Sequence, residues 1–394
     1  MVKDLSFSDY ANLLQQTTLR QRIKIEILRL VDFSIDYEIT GDVINDSTAT
    51  ETFALKNGAR RTVTFNLQNA SLTEGAGNYV PDIRNNYLAP RTPFRLFLGL
   101  ADEDENIYYV LQGVFLLQDP IVISNYAESI VTITGIDSFG LYDGTLGGET
   151  EATYVIPVGT NLYTAVAGVL NVQKYPYAPL LDPQFMTVVT PYTITYATGS
   201  NLGDILVELA GINSANIFCD IQGRFVYEED TSDLTKGSIW DFSTEENTYQ
   251  GATNTYMYSL LFNSVVVIGA NINNVDGDTY TATATNTDLT SNTSVGNLGY
   301  TRTKTVTDNT IATNADCLNR ANYELKKSIG QECDITIPCI PVYHLDVDQV
   351  ITITDPSLNY NMERFLITGF TLPFNFGGQM SITAVSAIDI IFSS

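Results

Sequence analysis

Arg95-Leu96-Phe97-Leu98-Gly99-Leu100, then an acidic turn (Ala101 to Asn106), then a segment centred on Gly113, then Ile130-Val131-Thr132-Ile133-Thr134-Gly135-Ile136-Asp137: this stretch decides the fold, because the chain says it twice. The second version closes the protein, with Val350 to Thr354, a polar turn (Asp355 to Asn361), a segment centred on Gly369, and Ile382-Thr383-Ala384-Val385-Ser386-Ala387-Ile388-Asp389. With Gly113 set on Gly369, Tyr109 falls on Phe365, Val110 on Leu366, Leu111 on Ile367 and Val114 on Phe370. Both versions alternate apolar and polar residues at the period of a half-buried strand, and both break at turn-forming clusters. The expectation is two copies of one antiparallel β module in a single polypeptide.

Outward from these segments, the first copy extends upstream. Arg22 to Leu28 sets Ile23, Ile25 and Ile27 against Arg22, Lys24 and Glu26; Asp32 to Asp36 turns the chain and Tyr37 to Ile44 returns it. Arg60 to Leu67 places Val63, Phe65 and Leu67 on one side. A short helical arm over Phe7 to Gln16 precedes this, giving an arm over 1–20 and a first tube-type β-barrel domain over 21–144. A Gly- and Thr-rich exit at 143–159 leads to an α+β insert over 145–255. The insert holds a helix over Asn161 to Leu170, with Leu162, Val166, Val169 and Leu170 on one face. It also holds a helix over Asn201 to Ala210, capped by Ser200 or Asn201 and ended by Gly211. A hairpin then turns at Gln222-Gly223. The second tube-type β-barrel domain spans 256–394, with a polar excursion at 280–297 and a helix from Asn314 to Ser328 carrying Leu318, Ala321 and Leu325. The fold class is mainly β with an α+β insert, and the last apolar residues, Ile388, Ile390, Ile391 and Phe392, are expected in a sheet.

Composition bounds the function. With 394 residues, 44% of them hydrophobic, the chain fills real cores. Acidic residues outnumber basic ones by 45 to 20, a formal charge of -25, which argues against gripping nucleic acid phosphates. Met1 to Gln16 lacks the basic start and apolar stretch of a secretory signal, and no run reaches the roughly 18 apolar residues of a membrane span, so synthesis in a cytoplasm without membrane anchoring is expected. Cys333 and Cys339 share a strand face but stand roughly 20 Å apart at about 3.3 Å per residue, too far for a disulfide. Cys219 and Cys317 lack metal-ligand spacing, so all four cysteines read as buried free thiols.

Catalytic constellations fail on inspection. His344 is the one histidine and sits at a strand entry, as a structural residue would. Carboxylates cluster at Asp102, Glu103, Asp104 and Glu105 and at Glu228, Glu229 and Asp230, in polar turns where solvation explains them and no pocket is indicated. Asn274-Val275-Asp276-Gly277-Asp278 lacks the spaced ligands and distal Glu of a calcium loop and reads as a tight turn. No catalytic residue, cofactor site or metal site is nominated.

Several pieces in order resemble the tail hub proteins of tailed bacteriophages, a family related to the hubs of contractile injection systems. They are Arg60-Arg61-Thr62-Val63, the helix and hairpin running from Leu202-Gly203-Asp204-Ile205 through Asp220-Ile221-Gln222-Gly223-Arg224-Phe225, the helix with Arg320-Ala321-Asn322-Tyr323-Glu324-Leu325, and His344-Leu345-Asp346-Val347-Asp348-Gln349-Val350-Ile351. The resemblance covers nearly the whole chain after the arm. It implies a homotrimer in which two tube-like domains per chain make a ring of six quasi-equivalent barrels, joining a six-fold tail tube to a three-fold tip. It implies, as partners, the tail tube or distal tail protein on one face, a tail tip, spike or fibre protein on the other, and the tape measure protein. DNA would leave through the channel without specific binding, past walls whose acidity repels it. The location implied is the virion tail, after assembly in the host cytoplasm. The hub of a phage-like contractile injection system is the related alternative, and two other classes stay open: a tail-tip protein that binds host glycan through some of the 23 tyrosines, and a cell-wall hydrolase.

Overall fold

A computed structural model of the chain describes residues 2–387 apart from 4–9, 11, 15–19, 45–49, 55, 70–76, 83–87, 126–127, 214, 231–235, 246–247, 257, 260, 272–276, 310, 330 and 376. The protein is mainly β. Its first strands are β1 (Val2–Lys3), β2 (Arg20–Leu28), β3 (Ile35–Ile39), β4 (Val43–Ile44), β5 (Thr50–Ala54), β6 (Arg61–Gln68), β7 (Pro93–Ala101), β8 (Ile107–Leu117), β9 (Ile121–Ser124) and β10 (Ser129–Asp137). Alternation dictates these elements: Ile23, Ile25 and Ile27 of β2 and Val63, Phe65 and Leu67 of β6 all point into the core. The return after β2 is shorter than expected, since β3 pairs with β2 while Val43 and Ile44 pair with β6 instead.

The later strands of the same sheet are β16 (Ser238–Ser243), β17 (Thr253–Tyr256), β21 (Gln331–Cys339), β22 (Val350–Asp355), β23 (Tyr360–Pro373) and β24 (Met380–Ala387). The two repeat segments fold alike. Each makes an antiparallel meander whose last strand pairs with the strand that precedes the meander in the chain, in the orders β7-β8-β10-β6 and β22-β23-β24-β21. Their first hairpins keep one register: Leu98↔Val110, Gly99↔Tyr109, Leu100↔Tyr108 and Ala101↔Ile107 correspond to Val350↔Leu366, Ile351↔Phe365, Thr352↔Arg364 and Ile353↔Glu363. Setting Gly113 on Gly369 matches the β8 residues of these pairs with those of β23, but the glycines themselves pair differently, Gly113 with Leu96 of β7 and Gly369 with Ala54 of β5 and Thr383 of β24.

The closing strands do not repeat in the expected register. Phe115 pairs with Asp137, whereas its counterpart Thr371 pairs with Ser381, eight residues before Asp389. The cause is the connection. In the first copy it holds β9, which takes the first half of β10 and leaves Gly135 to Asp137 for β8. The turn between β23 and β24 has no room for such a strand, so β24 runs directly along β23. Residues 388–392, expected in a sheet, lie outside the described residues.

The two modules are hydrogen-bonded together by β5, which pairs with β6 along one edge and with Gly369–Pro373 of β23 along the other. Among the described residues sixteen strands form one sheet, and one core takes Phe65, Phe94 and Leu96 from the first module and Ile351, Phe365 and Ile382 from the second. Phe53 of β5 stacks on Phe370 of β23 at 4.0 Å between ring centroids. β16 pairs in parallel with β22 and β17 antiparallel with β21, so these two segments, read from the sequence within 145–255 or at its border, lie in the second module's sheet. Of the expected arm helix, Tyr10 and Asn12–Leu13 are described as helical; Tyr10 is buried against the second module, its hydroxyl donating to the Pro341 carbonyl at 2.7 Å.

Between the modules stand β11 (Tyr154–Ile156), α1 (Leu162–Val172), β12 (Leu180–Leu181), β13 (Ile194–Tyr196), α2 (Leu202–Ile212), β14 (Ala215–Cys219) and β15 (Phe225–Glu229), packed round a second core. Asn161 caps α1 by accepting from the Thr164 N–H. Asn201 is the N-cap of α2, but Gly211 does not end that helix: it lies inside it, and Asn213 is the C-cap. Gly223 takes φ +81 at the hairpin turn, a conformation glycine adopts without strain.

A third unit consists of β18 (Ser264–Asn271), β19 (Thr279–Thr285), α3 (Val295–Leu298), β20 (Thr303–Thr307) and α4 (Asn314–Ile329). Here the expected polar excursion contains a strand, β19. The stripe of α4 is Cys317, Ala321 and Leu325, packed on Val265, Val267 and Ala284. Leu318 does not belong to it and is 43% exposed, because one residue along a helix rotates a side chain by about 100° away from the buried line.

Candidate assembly site: a polar joint and the surfaces around it

The basic pair Arg60-Arg61 starts β6 beside β5, where first module, second module and insert meet. Asp137, the last residue of β10, is fully buried and accepts from the Arg60 N–H at 2.6 Å, the Arg61 N–H at 3.0 Å and the Phe139 N–H at 3.0 Å. Those bonds fix the entry to β6. The Arg61 guanidinium then reaches both neighbours, donating to the Cys219 carbonyl of the insert at 2.7 Å and to Asp346 of the second module at 2.5 Å. Arg60 lays its guanidinium 3.5 Å from the Phe218 ring centroid and donates to the Lys56 carbonyl at 2.8 Å.

Burial sets the electrostatics. It pulls Arg60 down to about 10, and it raises Asp137 even though three N–H groups hold the charged form. For Arg61 burial also works downward, but the charges of Asp346, Asp137 and Glu51 prevail and hold it above its ordinary value. Glu51, on β5, is completely buried, and its carboxyl is pushed well above the usual range by burial, with Arg61 opposing. Neither Glu51 oxygen has a hydrogen-bond partner among the described residues. What these residues do together is hold three parts of the chain to one another.

The other candidate residues are structural in their surroundings. Asp102 accepts from the N–H groups of Asp104 and Asn106 and closes its turn, while Glu105 pairs with Arg20 and Arg22. Asp230 accepts from Asn216 and from the Tyr323 hydroxyl, tying the insert to α4. Burial raises Glu228. His344 packs edge-on against Tyr10 at 4.8 Å. All four cysteines are buried and unbridged, and burial pushes the thiols of Cys219 and Cys339 up. Of 274–278, residues 274–276 lie outside the described residues and Gly277 takes φ +96.

Sequence reasoning missed Glu51, Asp137 and Asp346 as partners of the basic pair: nothing local announces that Arg61 meets Asp137 across 76 residues and Asp346 across 285, and nothing marks Glu51 as buried. It also missed two apolar surfaces. Ile121, Val122 and Ile123 of β9 are exposed in succession on a strand that, among the described residues, pairs with β10 alone, and Leu30 and Val31 are exposed at the turn between β2 and β3. Exposed β-branched edges of this kind mark contact sites.

No family model and no curated protein matches the chain. Solved structures do. The 43 kDa tail protein of prophage MuSo2 from Shewanella oneidensis is 12% identical, with a TM-score of 0.59 over 94% of this chain and 100% of that one. A tail protein from Neisseria meningitidis MC58 is 11% identical, with a TM-score of 0.61 over 93% of this chain and 96% of that one. The prophage tail protein gp18 from Listeria monocytogenes EGD-e is 12% identical, with a TM-score of 0.53 over 92% and 94%. The chain shares the fold of these phage tail proteins along nearly its whole length.

Proposed function

We propose that this chain is a structural hub of a phage tail baseplate, three copies of which form a ring. The observation that carries this reading is the duplicated module joined in cis by β5: one chain supplies two like β units side by side, so a threefold set presents six. The shared fold with three phage tail proteins supports it. In such a ring one face meets the tail tube or distal tail protein and the other a tip, spike or fibre. The exposed β9 strand and the Leu30-Val31 turn are apolar surfaces for these contacts. The chain's charge of -25 suits a wall past which DNA slides without sticking. Its role is pairing and packing rather than catalysis. Native mass spectrometry of the purified chain tests the stoichiometry: a trimer is expected, and a stable monomer at micromolar concentration would end the hub reading.

A further inference from the structure

The strand that joins the two modules carries an ionisable group inside the core. On one face of β5 the cross-strand rows are Val63–Glu51–Leu372 and Arg61–Phe53–Phe370, and every residue in them is buried. Glu51 therefore has a valine on one side and a leucine on the other, at about 4.5–5.5 Å between Cβ atoms. Both its carboxyl oxygens are buried without a hydrogen-bond partner among the described residues. The charged groups that act on it are Arg61 of β6 and Asp346 of the loop before β22, and these two are bonded to each other at 2.5 Å. β23 brings Phe370 and Leu372 to this face, and Asp137, at the end of β10, acts on Arg61.

The two edges of β5 differ in how they are held. Its ladder with β6 closes a hairpin, in which the Ala54 N–H donates to the Arg60 carbonyl at 2.9 Å. Its ladder with Gly369–Pro373 of β23 joins parts of the chain far apart in sequence, with no turn to hold it shut. A neutral carboxyl fits the row between Val63 and Leu372; a carboxylate there needs water, and this ladder is the one that can part to admit it. Other bonds tie the modules meanwhile: Gln112 donates to the Tyr343 carbonyl at 3.1 Å, and Gln21 to the Tyr343 hydroxyl at 3.0 Å.

We propose that Glu51 is a proton-operated catch on the seam between β5 and β23: protonated, it leaves the seam shut, and when its proton passes to solvent the strands part locally and water reaches the carboxylate. The bonds to Tyr343 keep the modules attached, so opening changes how one module sits against the other without unfolding either. The sign follows from burial, which raises Glu51 in the closed seam, whereas the open seam returns it to the ordinary glutamate range. The closed form is favoured in full below that range and loses ground as pH climbs through the raised value, with opening about tenfold more frequent per pH unit in between. This inference does not depend on the hub reading, since a single chain holds every part of the catch.

The test is hydrogen exchange of the full-length chain from about pH 5 to about pH 8, with rates corrected for the intrinsic pH dependence of amide exchange. The peptides compared are those covering Thr50–Ala54 and Gly369–Leu372 and, as a reference within the same sheet, the ladder between β21 and β24. Opening at the seam should rise about tenfold per pH unit in the natural chain and stay flat in Glu51→Gln, with the reference ladder flat in both. A seam whose opening ignores pH in the natural chain would overturn the proposal. So would an equal rise in the reference ladder, which would make the event unfolding of the whole sheet, or a rise that survives in Glu51→Gln. The natural chain alone decides the first two outcomes, whatever the variant's stability.

Discussion

Replacing Arg61 by Met keeps an unbranched chain of similar length and deletes the charge that spans the joint. Arg61 is 2% exposed at its side chain and its partner Asp346 27%. The variant loses the bonds to the Cys219 carbonyl and to Asp346, and leaves Glu51 without its opposing cation. Removing one partner of a buried ion pair costs about 3–5 kcal/mol. Because Asp346 keeps access to water, the lower end, about 3 kcal/mol, is the expectation. The assay is urea unfolding followed both by circular dichroism and by the fluorescence of Trp240, the one tryptophan, which is buried on β16 in the second module. The two signals should coincide in the natural chain and separate in the variant, as the second module loses its tie to the first. A double-mutant cycle with Asp346→Asn should give a coupling of about 1–3 kcal/mol. A loss below about 1 kcal/mol with coincident signals would refute the joint, since exposed pairs cost no more than that.

Three further outcomes follow from the same geometry. Asp137→Ala strands three buried N–H groups and should cost at least about 3 kcal/mol by urea midpoint, at about 1–3 kcal/mol per group; a loss under 1 would show that they find other acceptors. Glu51→Gln should change the pH profile. Burial raises the folded-state pKa of Glu51, so its neutral form is accommodated below the ordinary glutamate range and stability falls as pH climbs from there through the raised value. The variant should therefore gain on the natural chain as pH rises from 4.5 towards neutrality, and a stability difference flat across that span would sink the assignment. Gly148→Ala should destabilise strongly, because φ is +97 and a Cβ would sit 2.4 Å from the Leu141 carbonyl oxygen; an unchanged melting temperature would contradict it.

The two meanders were legible because the segments around Gly113 and Gly369 share one alternation, and period-2 patterns carry which face is buried. The slide of the closing strand was not, since Ile136-Asp137 and Ile388-Asp389 match as text while β9 decides which residues of β10 remain for β8. Helix α4 was visible as an element but off by one residue on its buried line, as Leu318 is the more apolar choice and Cys317 the one that faces Val265 and Val267. Of the joint, the basic pair, Asp137 and the stretch around Asp346 stood out as separate motifs, but not as partners. Nothing in the sequence marks Glu51 as buried: β5 pairs along both edges, and Glu51 and Phe53 fill one of its faces while Thr52 stays exposed on the other.

The central claim is that one chain carries two like modules so that few copies can imitate a higher symmetry. End-on electron microscopy of the purified assembly tests it most directly. The account predicts a pierced ring with six lobes from three chains; a particle without a central opening, or one whose lobes number three, would contradict it.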